Sequence, residues 1–412
     1  MIINFSVQNF GSIKDKQTLS FEADRSEHLE DYYIIPINGL RLLKLGLIYG
    51  ANASGKTTIL KALDFLSNIV LNPKEKKTDI FDFNPFLFDS ETPKQNTILS
   101  IEFIQNSVRY YYEIELNKKA IVNETLDFYN SHKANVFKRT TNLETQFSEI
   151  AFGSKIKTDK VFEKTLESNT LWNNTVLGGF LKTNIELKEL KDATDWFANH
   201  LNSLIHPKTQ LDTFVITQLN NSTIKKDDVI QILQKADLNI SDIHIKEGNK
   251  RILLDSMKSF QTYNLEFEHT LNNEKYNLPF EFESQGTQRY YGFAGILSQA
   301  IRESFVFLID ELESSLHPDL FTHFLLSFLV NSKNSQIIAT THNREILNNK
   351  DIFRNDAVWI TDKSENCATE LYSLSDFDTS VIRDTSNIYN AYKIGKLGGI
   401  PNLGDYYIDI EE

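Results

Sequence analysis

LIYGANASGKTTIL occupies residues 47–60, and the reading of this stretch decides the fold. An apolar run ends at Tyr49, small residues follow, and Gly55-Lys56-Thr57-Thr58 leads into Ile59 and Leu60. A glycine-rich strand-to-helix turn with a solvated lysine would account for the composition alone. The spacing Gly50-x4-Gly55-Lys56-Thr57 goes further, because it matches the phosphate-cradling loop G-x-x-x-x-G-K-[ST]. Context agrees with it. Residues 45–49 read as a buried strand, and Ile59, Leu60, Leu63, Leu66 and Ile69 form one apolar face of a helix over 57–69. In such a loop small residues let successive backbone N–H groups point at phosphate oxygens, and the helix N-terminus adds its positive dipole end. Asn52, Ala53, Ser54, Gly55, Lys56, Thr57 and Thr58 are the expected ATP-binding set. Lys56 is placed on the β- and γ-phosphates and the Thr57 hydroxyl on Mg2+.

The chain is long enough, at 412 residues, for two or three domain-sized units, and its 41% apolar and 24% charged content is that of a globular protein. A net charge of −13 does not advertise nucleic-acid binding, so any such contact needs a local basic patch. Lys155, Lys157, Lys160 and Lys164, with Lys225 and Lys226, would supply one; equally they are solvated helical faces. Cys367 is the only cysteine, which excludes an intrachain disulfide and a cysteine-based zinc site and fits a reducing cytoplasm. The opening MIINFSVQNFGSIKDK lacks the pattern of a signal peptide, and no stretch approaches 18 consecutive apolar residues. The expectation is a cytoplasmic protein with no membrane partner.

Alternation predicts strands over 2–7 and 17–22, two more around the turn Gln105-Asn106-Ser107, and another near 120–128. From about 130 to 250 the texture becomes helical, with patterns over 183–204 and 225–236 that never settle into heptads. Trp172 and Trp196 in this insert read as core residues or partner anchors, core being favoured. Strand character returns over 251–282, with a turn at 271–275. The expected division is an N-terminal half-domain over 1–130, a mostly helical insert over 131–250 and a C-terminal half-domain over 251–412.

A second motif completes the first. SFVFLIDELESSLHP, residues 304–318, places Asp310-Glu311 directly after an apolar strand. A buried strand delivering an acidic pair is the magnesium- and water-handling half of a P-loop ATPase, with Asp310 in the metal shell and Glu311 as general base. SQIIATTHNREIL, residues 335–347, reads as another core strand that delivers His342 to the edge where open α/β sheets bind ligands. FESQGTQRYYGFAGIL, residues 282–297, sets Ser284, Gly286 and Thr287 at a helix start. That is either a second anion site or an ordinary N-cap.

Taken in order, these motifs resemble the ABC-type ATPase heads of the SMC/RecF superfamily. The resemblance implies an α/β fold: an ABC-type P-loop ATPase head with an antiparallel β-lobe, a mixed central sheet carrying Lys56 and Asp310, and a helical insertion. It implies that Ser284, Gly286 and Thr287 act in trans on the nucleotide of a partner subunit, that Ser315–His317 forms an inter-subunit loop, and that His342 is a switch histidine. ATP and Mg2+ are the implied cofactors, and a homodimer or larger homo-oligomer the implied assembly. YKIGKLGGIPNL, residues 392–403, is similar to the Tyr-x-x-Gly-x-x-Gly-x-x-Pro tail of the standalone ATPases of bacterial anti-phage operons, the group of Septu PtuA, RloA and PARIS AriA. That likeness implies a sensor or regulator of a separate, operon-encoded effector (a nuclease or toxin), with nucleic acid or a phage component as trigger. The stretch after His342 is too short for the C-terminal nuclease domain of related OLD enzymes, as this reading requires.

Two features depart from the family pattern. The opening hairpin carries Asn9-Phe10-Gly11-Ser12 where RecF-like heads have an arginine, with Lys14 as the nearest substitute, and the family's magnesium-sensing glutamine has no fixed place, Gln95 and Gln105 being the candidates. Two other functions stay open: a RecF/SMC-like DNA-repair ATPase that grips DNA itself, and a scaffold that binds ATP only to assemble. Intact Glu311 and His342 speak against the scaffold. The acidic residues Asp405, Asp409, Glu411 and Glu412 read as a solvated terminus rather than a metal site.

Overall fold

The computed structural model describes residues 1–130, 132–253, 258–349, 351–377 and 388–401. The acidic terminus, residues 402–403 of the closing stretch and part of the strand region read over 251–282 lie outside the described residues. The chain opens with strands β1 (Ile2–Gln8) and β2 (Gln17–Ser20), a helical turn α1 (Glu30–Tyr33) and the pair β3 (Ile34–Ile37) and β4 (Leu40–Leu43). Strand β5 (Leu45–Gly50) runs into helix α2 (Lys56–Leu71). A meander follows, of β6 (Thr97–Gln105), β7 (Val108–Leu116), β8 (Ile121–Asn130), β9 (His132–Asn142) and β10 (Phe147–Phe152). Next come helices α3 (Lys160–Asn169), α4 (Val176–Phe180), α5 (Lys188–Asn199), α6 (Asp212–Asn220) and α7 (Lys226–Lys235). Strands β11 (Asp242–Leu253), β12 (Lys258–Leu271) and β13 (Glu274–Pro279) precede helix α8 (Gln285–Arg302). The chain continues through β14 (Val306–Ile309), α9 (Pro318–Asn331), β15 (Gln336–Thr340), β16 (Val358–Lys363), β17 (Thr369–Ser373) and α10 (Ile388–Lys393).

The described residues form two compact units. The first combines Met1–Ile205, Val306–Glu311 and the residues from Gln336 onward. Its five-stranded sheet, ordered β14-β15-β5-β16-β17, is parallel except for β17, so the expected mixed sheet is present. Every residue of β5 is buried, as a parallel strand covered on both faces must be. Helix α2 buries Ile59, Leu60, Leu63 and Leu66. The seven-stranded antiparallel sheet, ordered β10-β9-β8-β7-β6-β1-β2, is the expected β-lobe, larger than expected.

Two corrections concern the insert. Residues 132–152 continue the meander as β9 and β10 where helix was expected. The alternation along β9 is masked by Arg139, which is buried with its guanidinium 3.3 Å from the equally buried Glu124 carboxylate. Burial raises the Glu124 pKa and lowers that of Arg139, while the pairing opposes both shifts. The helix expected over 183–204 spans only α5. From His200 the chain extends and pairs with β14, whose exposed edge would otherwise lack partners: Val306 N–H donates to His200 O at 2.7 Å and Asp310 N–H to Ile205 O at 2.8 Å. Trp196 is wholly buried, stacked on Phe103 at 4.3 Å, whereas Trp172 is half-buried with Nε1 on Lys77 O. Lys155, Lys157, Lys160 and Lys164 are all exposed.

The second unit comprises His206–Phe305 and Leu312–Ser335. Phe267 of β12, Phe280 and Tyr291 of α8 form a ring cluster with centroids 5.1–5.6 Å apart, seating the sheet β11-β12-β13 on α8. The turn read at 271–275 is the two-residue link Asn272-Asn273, both at positive φ, as a hairpin of matching twist requires. Lys226 is engaged with Asp242 at 2.7 Å.

Candidate nucleotide site

At the carboxyl end of β5 the chain turns through Ala53 (φ +61°) and Gly55 (φ +102°) into α2. Gly55 is obligatory there. A Cβ would stand 2.0 Å from Thr369 Oγ1 and 2.8 Å from Ser12 Oγ, in a left-handed backbone no ordinary side chain favours. Hydroxyls remote in sequence fix the rest of the loop. Ser54 Oγ lies 2.6 Å from Thr361 Oγ1, and Thr369 Oγ1 lies 2.9 Å from Ser54 O and 2.7 Å from Ser12 Oγ. Ser12 Oγ donates in turn to Thr58 Oγ1 at 3.1 Å. Lys56 Nζ is folded back on the loop, donating to Gly50 O at 2.9 Å and Ala51 O at 3.0 Å.

The acidic pair sits beside this loop in the same unit. Thr57 Oγ1 donates to Asp310 Oδ1 at 2.9 Å, joining α2 to the end of β14. Thr340, last residue of β15, donates to the same oxygen at 2.6 Å and accepts the Glu311 N–H at 2.8 Å. One hydroxyl thus sets both acidic residues: Asp310 buried against Thr57, and Glu311 exposed at φ +48°. His342 follows β15 and is exposed, while its neighbour Thr341 is held by N–H donation to Ile48 O at 3.1 Å. The first unit therefore gathers residues 52–58, Asp310, Glu311 and His342 at the carboxyl ends of adjacent strands, where open α/β sheets take ligands. Among the described residues no group of three or more His, Cys, Asp and Glu side chains could hold a metal. The Thr57 hydroxyl and Asp310 carboxylate are hard oxygen donors of the kind that bind Mg2+ together with substrate phosphates.

Ser284, Gly286 and Thr287 belong to the second unit. Ser284 caps α8, its Oγ accepting from Thr287 N–H at 3.1 Å and lying 2.9 Å from Thr287 Oγ1. Gly286 abuts the loop after the acidic pair, where a Cβ would stand 3.1 Å from Ser315 O. Lys14 pairs with Asp89 at 2.8 Å, and that pairing holds the Asp89 carboxyl well below the usual range. Of the two glutamines, Gln95 lies at the loop end of β1, its carbonyl accepting from Asn9 Nδ2 at 2.9 Å. Gln105 is buried at the far end of β6. Sequence reading missed Thr340, Thr361 and Thr369. Each lies on a strand, but a lone threonine at a strand end carries no local signal.

Residues 47–348 match a protein family described as "AAA domain, putative AbiEii toxin, Type IV TA system". No curated protein matches the chain. Among solved structures, the chain is similar to an SMC head domain from Thermotoga maritima at 14% identity and a TM-score of 0.42, covering 90% of this chain and 98% of that one. It is also similar to an SMC head bound to the C-winged helix domain of ScpA, at 13% identity and a TM-score of 0.43, covering 90% of this chain and 97% of that one.

Proposed function

From the premise that this chain belongs to that AAA-domain family, we propose that it is a magnesium-dependent ATPase of the SMC/RecF-like ABC type. The observation that carries the reading is the hydroxyl relay Thr57–Asp310–Thr340–Glu311 at the mouth of the phosphate loop. A solvated acidic turn has no need of such a relay. Lys56 leaves the Gly50 and Ala51 carbonyls to meet phosphate, and the loop amides with the uncapped N-terminus of α2 receive the remaining charge. Thr57 and Asp310 would hold magnesium, which when bound neutralises charge developing on the phosphates. Glu311, held by its backbone and not its carboxylate, keeps that carboxylate available to orient and deprotonate a water. His342 stands at the same edge as a candidate γ-phosphate contact.

The finer reading rests on the family and on the resemblance of the motifs. Ser284, Gly286 and Thr287 of one subunit complete the site of another, so ATP binding closes a homodimer and hydrolysis opens it. That cycle regulates a separate effector in bacterial anti-phage defence, in keeping with a family described by a toxin–antitoxin system. The test is the particle mass of Glu311→Gln with and without ATP, alone and with its operon neighbour. Expected is an ATP-dependent dimer or larger assembly that binds the neighbour, with hydrolysis reduced at least ~100-fold, the scale of losing a general base. A mass indifferent to ATP removes the composite site. The exposed lysines at 155–164 favour a second reading, direct DNA binding, which a DNA-bound, neighbour-indifferent assembly would establish.

A further inference from the structure

The far end of the described chain returns to the phosphate loop. Tyr392, in the last turn of α10, is buried, and its Oη donates to Gly399 O at 2.9 Å. Its ring stands edge-on to that of Tyr49, centroids 6.0 Å apart, at the strand end that feeds the loop. Gly399 (φ +65°) closes against the loop itself: a Cβ there would stand 3.3 Å from Gly50 Cα and 2.7 Å from Ile360 Cγ2. Tyr372 Oη, from β17, donates to Leu397 O at 2.9 Å and fixes the intervening turn. On its other side the Tyr392 ring carries the Arg344 guanidinium, 5.7 Å from its centroid and two residues beyond His342. Burial raises the phenol pKa, while the nearby Arg344 charge pulls the other way. The neutral hydroxyl thus holds Gly399, which itself closes on Gly50.

We infer that Tyr392 is a positioning residue for the phosphate loop, its hydroxyl seating Gly399 against Gly50 and its ring contacting Tyr49 and Arg344 of the loop that follows β15. Gly50 is where this matters, since its carbonyl receives Lys56 Nζ and its position sets the direction of the loop amides. A strap at that point acts on nucleotide affinity. This inference rests on the phosphate-loop reading given above.

The test is a fluorescence titration of the full chain with a labelled ATP analogue, alongside thermal melting of the nucleotide-free protein. Tyr392→Phe keeps the ring between Tyr49 and Arg344 and deletes only the hydroxyl. The expected result is affinity weakened ~3–10-fold, the worth of one buried hydrogen bond, with the nucleotide-free melting temperature nearly unchanged. Gly399→Ala forces its Cβ toward Ile360 and Gly50 and should weaken binding at least as much. In the double variant the losses should fail to add, because both act through one contact. Wild-type affinity in a folded Tyr392→Phe overturns the strap, as does a lowered melting temperature with unchanged affinity, the signature of a merely structural residue. A wild-type chain that binds no nucleotide overturns the phosphate-loop reading, and the strap with it.

Discussion

Helices α2 and α8 both begin at a glycine-containing turn read as an anion site, yet the two ends are built differently. Helix α2 starts at Gly55, which has no side chain to cap it, and the Thr58 N–H turns back to Gly55 O at 3.0 Å. Helix α8 starts at Ser284, whose hydroxyl already takes the Thr287 N–H. One terminus is left open by its residue type; the other is closed by its own serine. On the proposed reading, an end without a side-chain cap is ready to receive phosphate. A closed end serves a ligand only if the serine exchanges an internal hydrogen bond for an external one, as the proposed in-trans role would require.

The largest effect belongs to the open end. Lys56→Ala should weaken ATP binding at least ~100-fold, since a charge-assisted contact to phosphate is lost while the fold remains. Retained affinity by calorimetry would show that the open end is not a phosphate receptor.

A matched pair of glycine substitutions sharpens the contrast. Gly55→Ala meets Thr369 Oγ1 at 2.0 Å in a left-handed backbone and should cost about 3 kcal/mol in denaturant melts, combining αL strain with overpacking. Gly286 has no positive φ, and its nearest obstacle is Ser315 O at 3.1 Å, so Gly286→Ala should change stability by less than about 1 kcal/mol. If Gly286 nevertheless lets a partner's phosphate approach, Gly286→Ala should lose ATP turnover at unchanged stability. Normal turnover would leave α8 an ordinary capped helix.

Ser284→Ala follows in size. Removing the cap should destabilise by about 1 kcal/mol. A loss of hydrolysis far beyond that, with ATP affinity intact, would assign the hydroxyl a role outside the cap.

What could be read from the sequence divides along the same line. The strand, turn and helix around Gly55 and the place of Asp310 and Glu311 after β14 were legible because their chemistry is local, compressed into a few consecutive residues. Thr340, Thr361 and Thr369 were not, since each acts across a strand pairing that periodicity cannot register. Strand β9 was hidden for a related reason: Arg139 occupies a core position, and its burial is made tolerable by Glu124 of β8, Ser148 and the carbonyls of Leu171, Trp172 and Asn174. The edge pairing of residues 200–205 with β14 was invisible because its benefit lies in satisfying another strand's backbone.

The smallest effect concerns how α8 is anchored below its closed end. Tyr290 Oη lies 2.7 Å from His323 Nδ1, joining α8 to α9 within the second unit. Burial lowers the His323 pKa, and the nearby Lys235 charge lowers it further; the other group facing the ring is the neutral Tyr290 phenol. The unfolded chain therefore takes up this proton at a higher pH than the folded one. Stability from this site is fully present above the unfolded histidine pKa of ~6.5 and is lost as pH falls through the folded value. Between pH 7.5 and 5.5 the wild-type melting temperature should fall by more than that of His323→Gln, whose amide can accept the Tyr290 hydroxyl without titrating. Equal slopes would mean that the ring takes up its proton as readily folded as unfolded, and that α8 is held at this point by packing alone.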